Sequence, residues 1–294
     1  MNEQTLKDRL RSISKEKNIK FNVCWKQLLL ERFLVRLTRS SQADKFIFKG
    51  GMLLSYIFKI GRETIDLDFL LNRMKGEEKE LRASFQEIIS VKSEDGFAFS
   101  IDDIALLSQP HMNYPGYRVS LRVKLGKMQD KIQIDLGIGD VVEPESVTIN
   151  SLEYHGNPLL AGIISLLAYP IETIFAEKLE TVLSKGESNT RMKDYHDLFL
   201  LSRDQAPLNC QKLQTSLTNT FLNRKTNLHL IGFDERQMQR LAIQWKRHIG
   251  SLGNMAQELK LPVDFKEIVD TINCYLRTLP MIDLQIPGVY SETT

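Results

Sequence analysis

Histidine and cysteine are scarce in this 294-residue chain, five and three respectively, and their placing excludes several chemistries. Cys24, Cys210 and Cys274 lie far apart with no Cys-x-x-Cys, which points to reduced thiols and no zinc site. The histidines are scattered without metal-ligand spacing. No Gly-x-x-x-x-Gly-Lys-Ser/Thr loop and no Gly-x-Ser-x-Gly elbow occurs, which disfavours a P-loop NTPase and an α/β-hydrolase. No apolar run approaches twenty residues, so no membrane crossing is expected. The stretch from Met1 to Lys20 is charged throughout and does not read as a signal peptide, and the expected compartment is the cytoplasm. A net charge of only +2 does not announce a nucleic-acid binder, although charge can be local.

What is present is a chain able to bury a core, 42% hydrophobic, long enough for one large or two ordinary domains. The spacing predicts helices over 3–17 and 22–40, the second carrying Trp25, Leu28, Leu29, Phe33 and Leu37 on one face. Mixed strands and helices follow from 46 to 142, including a long strand from Tyr117 to Leu125. After Pro158 the chain reads as almost wholly helical. A soft boundary falls near residue 155, at Gly156, Asn157 and Pro158, giving a first lobe over 1–155 and a helical lobe over 156–294. No repeat or low-complexity segment is evident.

Arg62-Glu63-Thr64-Ile65-Asp66-Leu67-Asp68-Phe69 carries the most chemistry. Read as a strand, it places Arg62, Thr64, Asp66 and Asp68 on one side and Ile65, Leu67, Phe69 and Leu71 on the other. Two carboxylates one pleat apart, roughly 7 Å between Cα atoms, can lean toward one point, and their shared charge calls for a cation. Mg²⁺ suits oxygen ligands and substrate phosphates, so Mg²⁺, or Mn²⁺ in its place, is the expected cofactor and a nucleoside triphosphate the expected substrate. A bare Asp-x-Asp at a sheet edge facing water has the same pattern, so the surroundings must decide. Upstream stand a short strand, Phe46-Ile47-Phe48, then Lys49-Gly50-Gly51 and an apolar segment of helical length from Met52 to Ile60. Glycines before a helix start let backbone N–H groups approach phosphate, although they also serve plain turns.

Further along, Lys131 to Ile138 alternates, with Ile132, Ile134, Leu136 and Ile138 on one face and Lys131, Gln133 and Asp135 on the other. Asp135 is a candidate third carboxylate, or an outward Asp on a half-exposed strand. Asp140 reads as a turn residue. Pro170 suits a helix start, and Lys178 falls on the apolar stripe of Ile171, Ile174, Phe175, Leu179 and Val182, where it must snorkel or meet a buried anion. Asp194 and Asp197 follow on one helical side, and Lys193 and Asp197 are spaced to pair, which marks Asp197 as structural. From Phe233 to Ile249, Arg236, Arg240 and Arg247 share a face that could hold an RNA backbone or be merely solvated. Arg224-Lys225 and the strand-face residues Arg118, Arg122 and Lys124 add basic charge.

Together Lys49-Gly50-Gly51, Arg62-x-Thr64-x-Asp66-Leu67-Asp68, Glu172-Thr173-x-x-Ala176-Glu177-Lys178 and Thr190-Arg191-x-Lys193-Asp194-Tyr195-x-Asp197-Leu198 resemble the AbiEii-type nucleotidyltransferases. These are toxins of bacterial toxin–antitoxin and phage-defence (abortive infection) pairs within the polymerase-β-like superfamily. The resemblance covers roughly residues 46 to 202, with His196 departing from the expected aromatic or aliphatic residue. It implies an α+β (mixed α/β) fold, a polymerase-β-like lobe with a mixed sheet followed by a mostly helical lobe, with the active site in the cleft between the two. It implies that Asp66 and Asp68 hold metal and that Asp135 helps bind the metal and activates the attacking hydroxyl. Gly50 and Gly51 would cradle phosphate, with Lys49 and Arg62 as further nucleotide contacts, and Lys178 would bind the triphosphate, with Asp194 orienting Lys178 or the bound nucleotide. The implied acceptor is RNA, foremost the 3′ end of tRNA, so that translation is blocked, and a cognate antitoxin is the implied protein partner. Transfer to a protein or small molecule, or a non-catalytic nucleotide- or RNA-binding relative, are the alternatives.

Overall fold

The computed structural model describes residues 2–58, 60–74, 76–107, 116–204 and 208–280. It divides into two compact units, one made of the chain up to Ile57 together with Glu63–Tyr169, the other of Phe58–Arg62 together with the chain from Pro170.

The first unit opens with helices α1 (Glu3–Glu16) and α2 (Phe21–Thr38). Asn2 caps α1 by accepting the Thr5 N–H at 2.8 Å, one of the donors a helix start leaves open. α2 is buried almost all round, Leu28, Leu29, Phe33 and Leu37 among its core residues, so the polar groups it carries inward need partners. Arg36 holds Asp95 through two 2.8 Å bonds. Glu31 accepts the Leu152 N–H at 2.9 Å, and burial pushes its carboxyl up to about 7.

Strand β1 (Phe46–Lys49) leads directly into helix α3 (Gly50–Ile57), and β2 (Leu67–Leu71) returns antiparallel beside β1. Helix α4 (Glu78–Ser90), then the long strands β3 (Ala98–Leu107), β4 (Gly116–Leu125) and β5 (Met128–Gly137) form an antiparallel run, with β5 lying parallel to β2. Next come β6 (Glu145–Ile149), the short pair β7 (Glu153–Tyr154) and β8 (Asn157–Pro158), and β9 (Ile164–Ala168). The main sheet has seven strands in the order β3-β4-β5-β2-β1-β9-β6 and is mixed, in keeping with the α+β expectation. The alternation of β5 sends Ile132, Ile134 and Leu136 inward, as period-two patterning requires.

Two expectations need correction. The stretch after Pro158 is not wholly helical, because β9 pairs with β6 and runs parallel to β1, and residues 156–169 therefore belong to the sheet unit rather than to the helical one. The strand bearing Asp68 begins only at Leu67, so the strict alternation read from Arg62 fails ahead of it, and Ile65 is 44% exposed.

From Pro170 the second unit is helical in its described residues: α5 (Ile171–Lys185), α6 (Met192–Arg203), α7 (Cys210–Arg224), α8 (Glu235–Leu252), α9 (Asn254–Glu258) and α10 (Phe265–Thr278). Asn209 caps α7, Asp264 caps α10, and Asp234 with Gln237 forms a capping box on α8. Trp245, Phe265 and Tyr195 pack edge to face or tilted in its core. Of the expected helical lobe, 205–207 and 281–294 lie outside the described residues. No described helix is long and apolar enough to cross a membrane.

Candidate functional site

Strand register in the first unit sets four charged residues in a single cross-strand row. Lys49 on β1 pairs with Asp68 on β2, Asp68 with Asp135 on β5, and Asp135 with Arg118 on β4. Residues paired this way point to the same face of a sheet, so the row reads cation, carboxylate, carboxylate, cation. At its outer end Arg118 grips Asp135 as a fork, Nε to Oδ1 and Nη2 to Oδ2 both at 2.7 Å. The Asp135 hydrogen bond raises the Arg118 guanidinium above its ordinary value, and the charges of Asp66 and Asp68 add to the effect. At the inner end Lys49 donates to Asp140 at 3.0 Å and to the Tyr169 hydroxyl at 3.2 Å, its amine 4.6 Å from the Tyr169 ring centre.

Gly50 closes the row on its helical side. Its φ is +78°, and a Cβ there would run into the Asp68 side chain, with Cγ at 2.7 Å. Only glycine lets the start of α3 lie so near the carboxylate. Gly51 is the next helical residue, so the expected glycine turn is itself the helix start, where free N–H groups favour anions.

Asp66, half-buried, sits just ahead of β2. Asp66 and Asp68 offer only carboxylate oxygens, the donors a hard divalent cation takes, and the chemistry of this pair fits Mg²⁺ or Mn²⁺. Arg118 takes both oxygens of Asp135. Among the described residues no group of three His, Cys, Asp or Glu side chains gathers to hold a metal.

The second unit holds a different cluster. Lys178 of α5 donates to Asp194 at 3.1 Å and reaches Asp197 at 2.7 Å. Arg62 clasps Asp197 through Nε at 2.8 Å and Nη2 at 2.6 Å, and Arg191 lies 3.2 Å from Asp194. Burial alone would lower the Lys178 amine, but Asp197 and Asp194 outweigh it and hold it above its ordinary value. Burial would likewise raise Asp197, yet Lys178 and Arg62 hold it well below the usual carboxylate range. Lys178 on the apolar stripe thus meets buried anions instead of snorkelling. Burial chiefly, with Arg191 and Arg62, lowers the Lys193 amine, and Asp194 opposes them.

Asp197 pairs with Lys178 and Arg62, not with Lys193 as its helical spacing suggests. Sequence reasoning gave no role to Tyr169, and it read Asp140 as a turn residue. It also missed the pairing of His196 with His248, spaced 52 residues along the chain. His196 Nε2 meets the Ile60 carbonyl at 2.7 Å and its Nδ1 meets His248 Nε2 at 2.9 Å. Because a carbonyl only accepts, His196 donates there from Nε2, and neutral His196 accepts from His248 through Nδ1. The expected RNA face of α8 is exposed at Arg236 and Arg247, whereas Arg240 pairs with Glu187 and Arg224 with Glu177 and Glu180.

Among solved structures, a Helicobacter pylori protein assigned as a nucleotidyltransferase is 16% identical, aligned over 90% of this chain and 100% of its own with a TM-score of 0.50, a likeness of fold. Another Helicobacter pylori protein, JHP933, is 16% identical over 87% of this chain and 94% of its own with a TM-score of 0.49. No curated protein matches. The model of the nucleotidyl transferase AbiEii toxin family, type IV toxin–antitoxin system, matches residues 32–271, and the chain therefore belongs to that family.

Proposed function

We propose that this toxin transfers a nucleotidyl group from an NTP to RNA, with the 3′ end of tRNA as acceptor, and so stops translation by leaving the tRNA unfit for aminoacylation. The observation that carries this reading is the row Lys49, Asp68, Asp135 and Arg118 with the Gly50 helix start lying against Asp68. It combines carboxylates for a cation with backbone donors for phosphate on one sheet face.

In the proposed reaction the acceptor hydroxyl attacks the α-phosphorus. A new P–O ester bond forms, the bond from the α-phosphorus to the bridging oxygen breaks, and pyrophosphate leaves with that oxygen. The hydroxyl proton passes to a carboxylate oxygen of the same face. A divalent cation held by Asp66 and Asp68 would supply Lewis-acid stabilisation to the attacking and leaving oxygens. Gly50 and Gly51 present N–H groups to phosphate. Lys178, steadied by Asp194, is the proposed point charge for the triphosphate. Lys49 and Arg62, each engaged with a carboxylate, are the proposed further nucleotide contacts. As a toxin of a type IV pair the protein has an antitoxin partner.

The test is incubation of the purified protein with Mg²⁺, total tRNA and each labelled NTP in turn, with an Asp66→Ala/Asp68→Ala control. Label on RNA from one NTP, lost in the control, is the expected result. Label on the protein or on a small molecule instead would reassign the acceptor, and no transfer at all would sink the enzymatic reading.

A further inference from the structure

Asp135 is gripped at both oxygens by Arg118, at 2.7 Å each, in a part of the sheet that stays open to water: the Arg118 side chain is 39% exposed and that of Asp135 25%. An ion pair at such exposure is held loosely, since water competes for both partners, and the fork geometry gives it direction more than strength. Asp68 is the register neighbour of Asp135 on β2, and the charges of Asp66 and Asp68 reach the same guanidinium. Arg118 therefore sits amid three carboxylates and carries the positive charge that balances part of them.

We propose that Arg118 is a resident counter-cation of the carboxylate face and competes with a divalent cation for Asp135. This rests on the reading that Asp66 and Asp68 hold the metal. A guanidinium and a divalent ion beside one carboxylate repel each other, and the fork occupies the oxygens that a third ligand would offer. The arginine thus sets the affinity of the metal site without being part of it, and acts as a positioning residue through Asp135.

Competition predicts opposite signs from the two ways of breaking one pair. Arg118→Gln frees Asp135, and Mn²⁺ titrated into the metal-stripped full-length protein, followed by electron paramagnetic resonance, should bind about three- to tenfold tighter, the scale of one exposed forked pair. Asp135→Asn removes the contested ligand and should weaken Mn²⁺ binding. An ion pair that only braces the sheet would move both variants the same way or neither, and either result overturns the proposal. Arg118→Lys keeps charge but loses the fork, so it should tighten binding less than Arg118→Gln and serves in its place if that variant fails to fold. The metal reading has its own control: Mn²⁺ binding unchanged in Asp66→Asn/Asp68→Asn would overturn it, whereas binding lost there but unaltered by Arg118→Gln would overturn the competition alone.

Discussion

Arg118 and Asp135 stand on a sheet face with 39% and 25% of their side chains exposed, whereas Lys178, Asp194 and Asp197 in the helical unit keep only 10%, 2% and 0%. Both clusters set cations against carboxylates at hydrogen-bonding distance. Water separates their behaviour. On the sheet it stands ready to replace a lost partner, so charges there can be exchanged for a ligand at small cost. Lys178, Asp194 and Asp197 are buried, so each charge depends on the others, and removing one strands the rest. The sheet cluster suits turnover of bound groups, and the buried cluster suits a fixed positive field.

The sharpest way to break this comparison is to remove carboxylates from each side. Asp66→Ala/Asp68→Ala should cut nucleotidyl transfer on the order of a thousandfold, the scale of losing a principal electrostatic stabiliser, while the melting temperature stays within a few degrees. A melting temperature that collapses would make the sheet cluster structural. Asp197→Ala should do the reverse, lowering the unfolding free energy in urea by about 3–5 kcal/mol, because Lys178 and Arg62 are left as buried charges. A loss too small to resolve would show the two clusters to be energetically alike.

Gly50→Ala sharpens the comparison from the backbone side. The left-handed φ and the pressure on Asp68 should cost about 1–3 kcal/mol of stability, and transfer should fall by more than the folded fraction does, read by activity and urea titration on one sample. The smallest effect concerns acid. Burial, with His196 and Arg62, holds His248 down to about 4, and burial also lowers His196. As pH falls below about 6.5, the ordinary histidine value, the unfolded chain takes up protons first. Stability is therefore full above that pH, declines through the window and has lost its whole increment below about 4. Melting curves of His248→Gln should be flatter over that window by a few degrees; parallel curves would show that the pair carries no such linkage.

Much of the first unit was legible because alternation and glycine signals are local. The spacing of β5 placed Asp135 on its polar face, and the Gly50-Gly51 pair marked a helix start beside a strand. Lys178 was legible as a conflict, a cation on an apolar stripe that called for an anion. What was not legible depends on partners far apart in sequence. β9 is a five-residue, mostly apolar run, ISLLA, of a kind that a strand and a buried helix share until β1 and β6 are beside it. Arg118 met Asp135 only through the register of β4 on β5, which the pattern of either strand alone does not set. Arg62 carried the parity of a strand residue, yet its segment leaves the sheet unit to reach Asp197.

That departure bears on the order in which the molecule is made. Arg62 and Asp197 are 135 residues apart, and Ile60 waits equally long for His196, 136 residues on. A ribosome that has finished the helix start of Gly50 and the strand of Asp68 has still to deliver the groups that tie down the stretch joining them. Until α6 emerges, this stretch of a nascent toxin is synthesised but lacks these partners, so the emergence of α6 governs when Ile60 and Arg62 are secured.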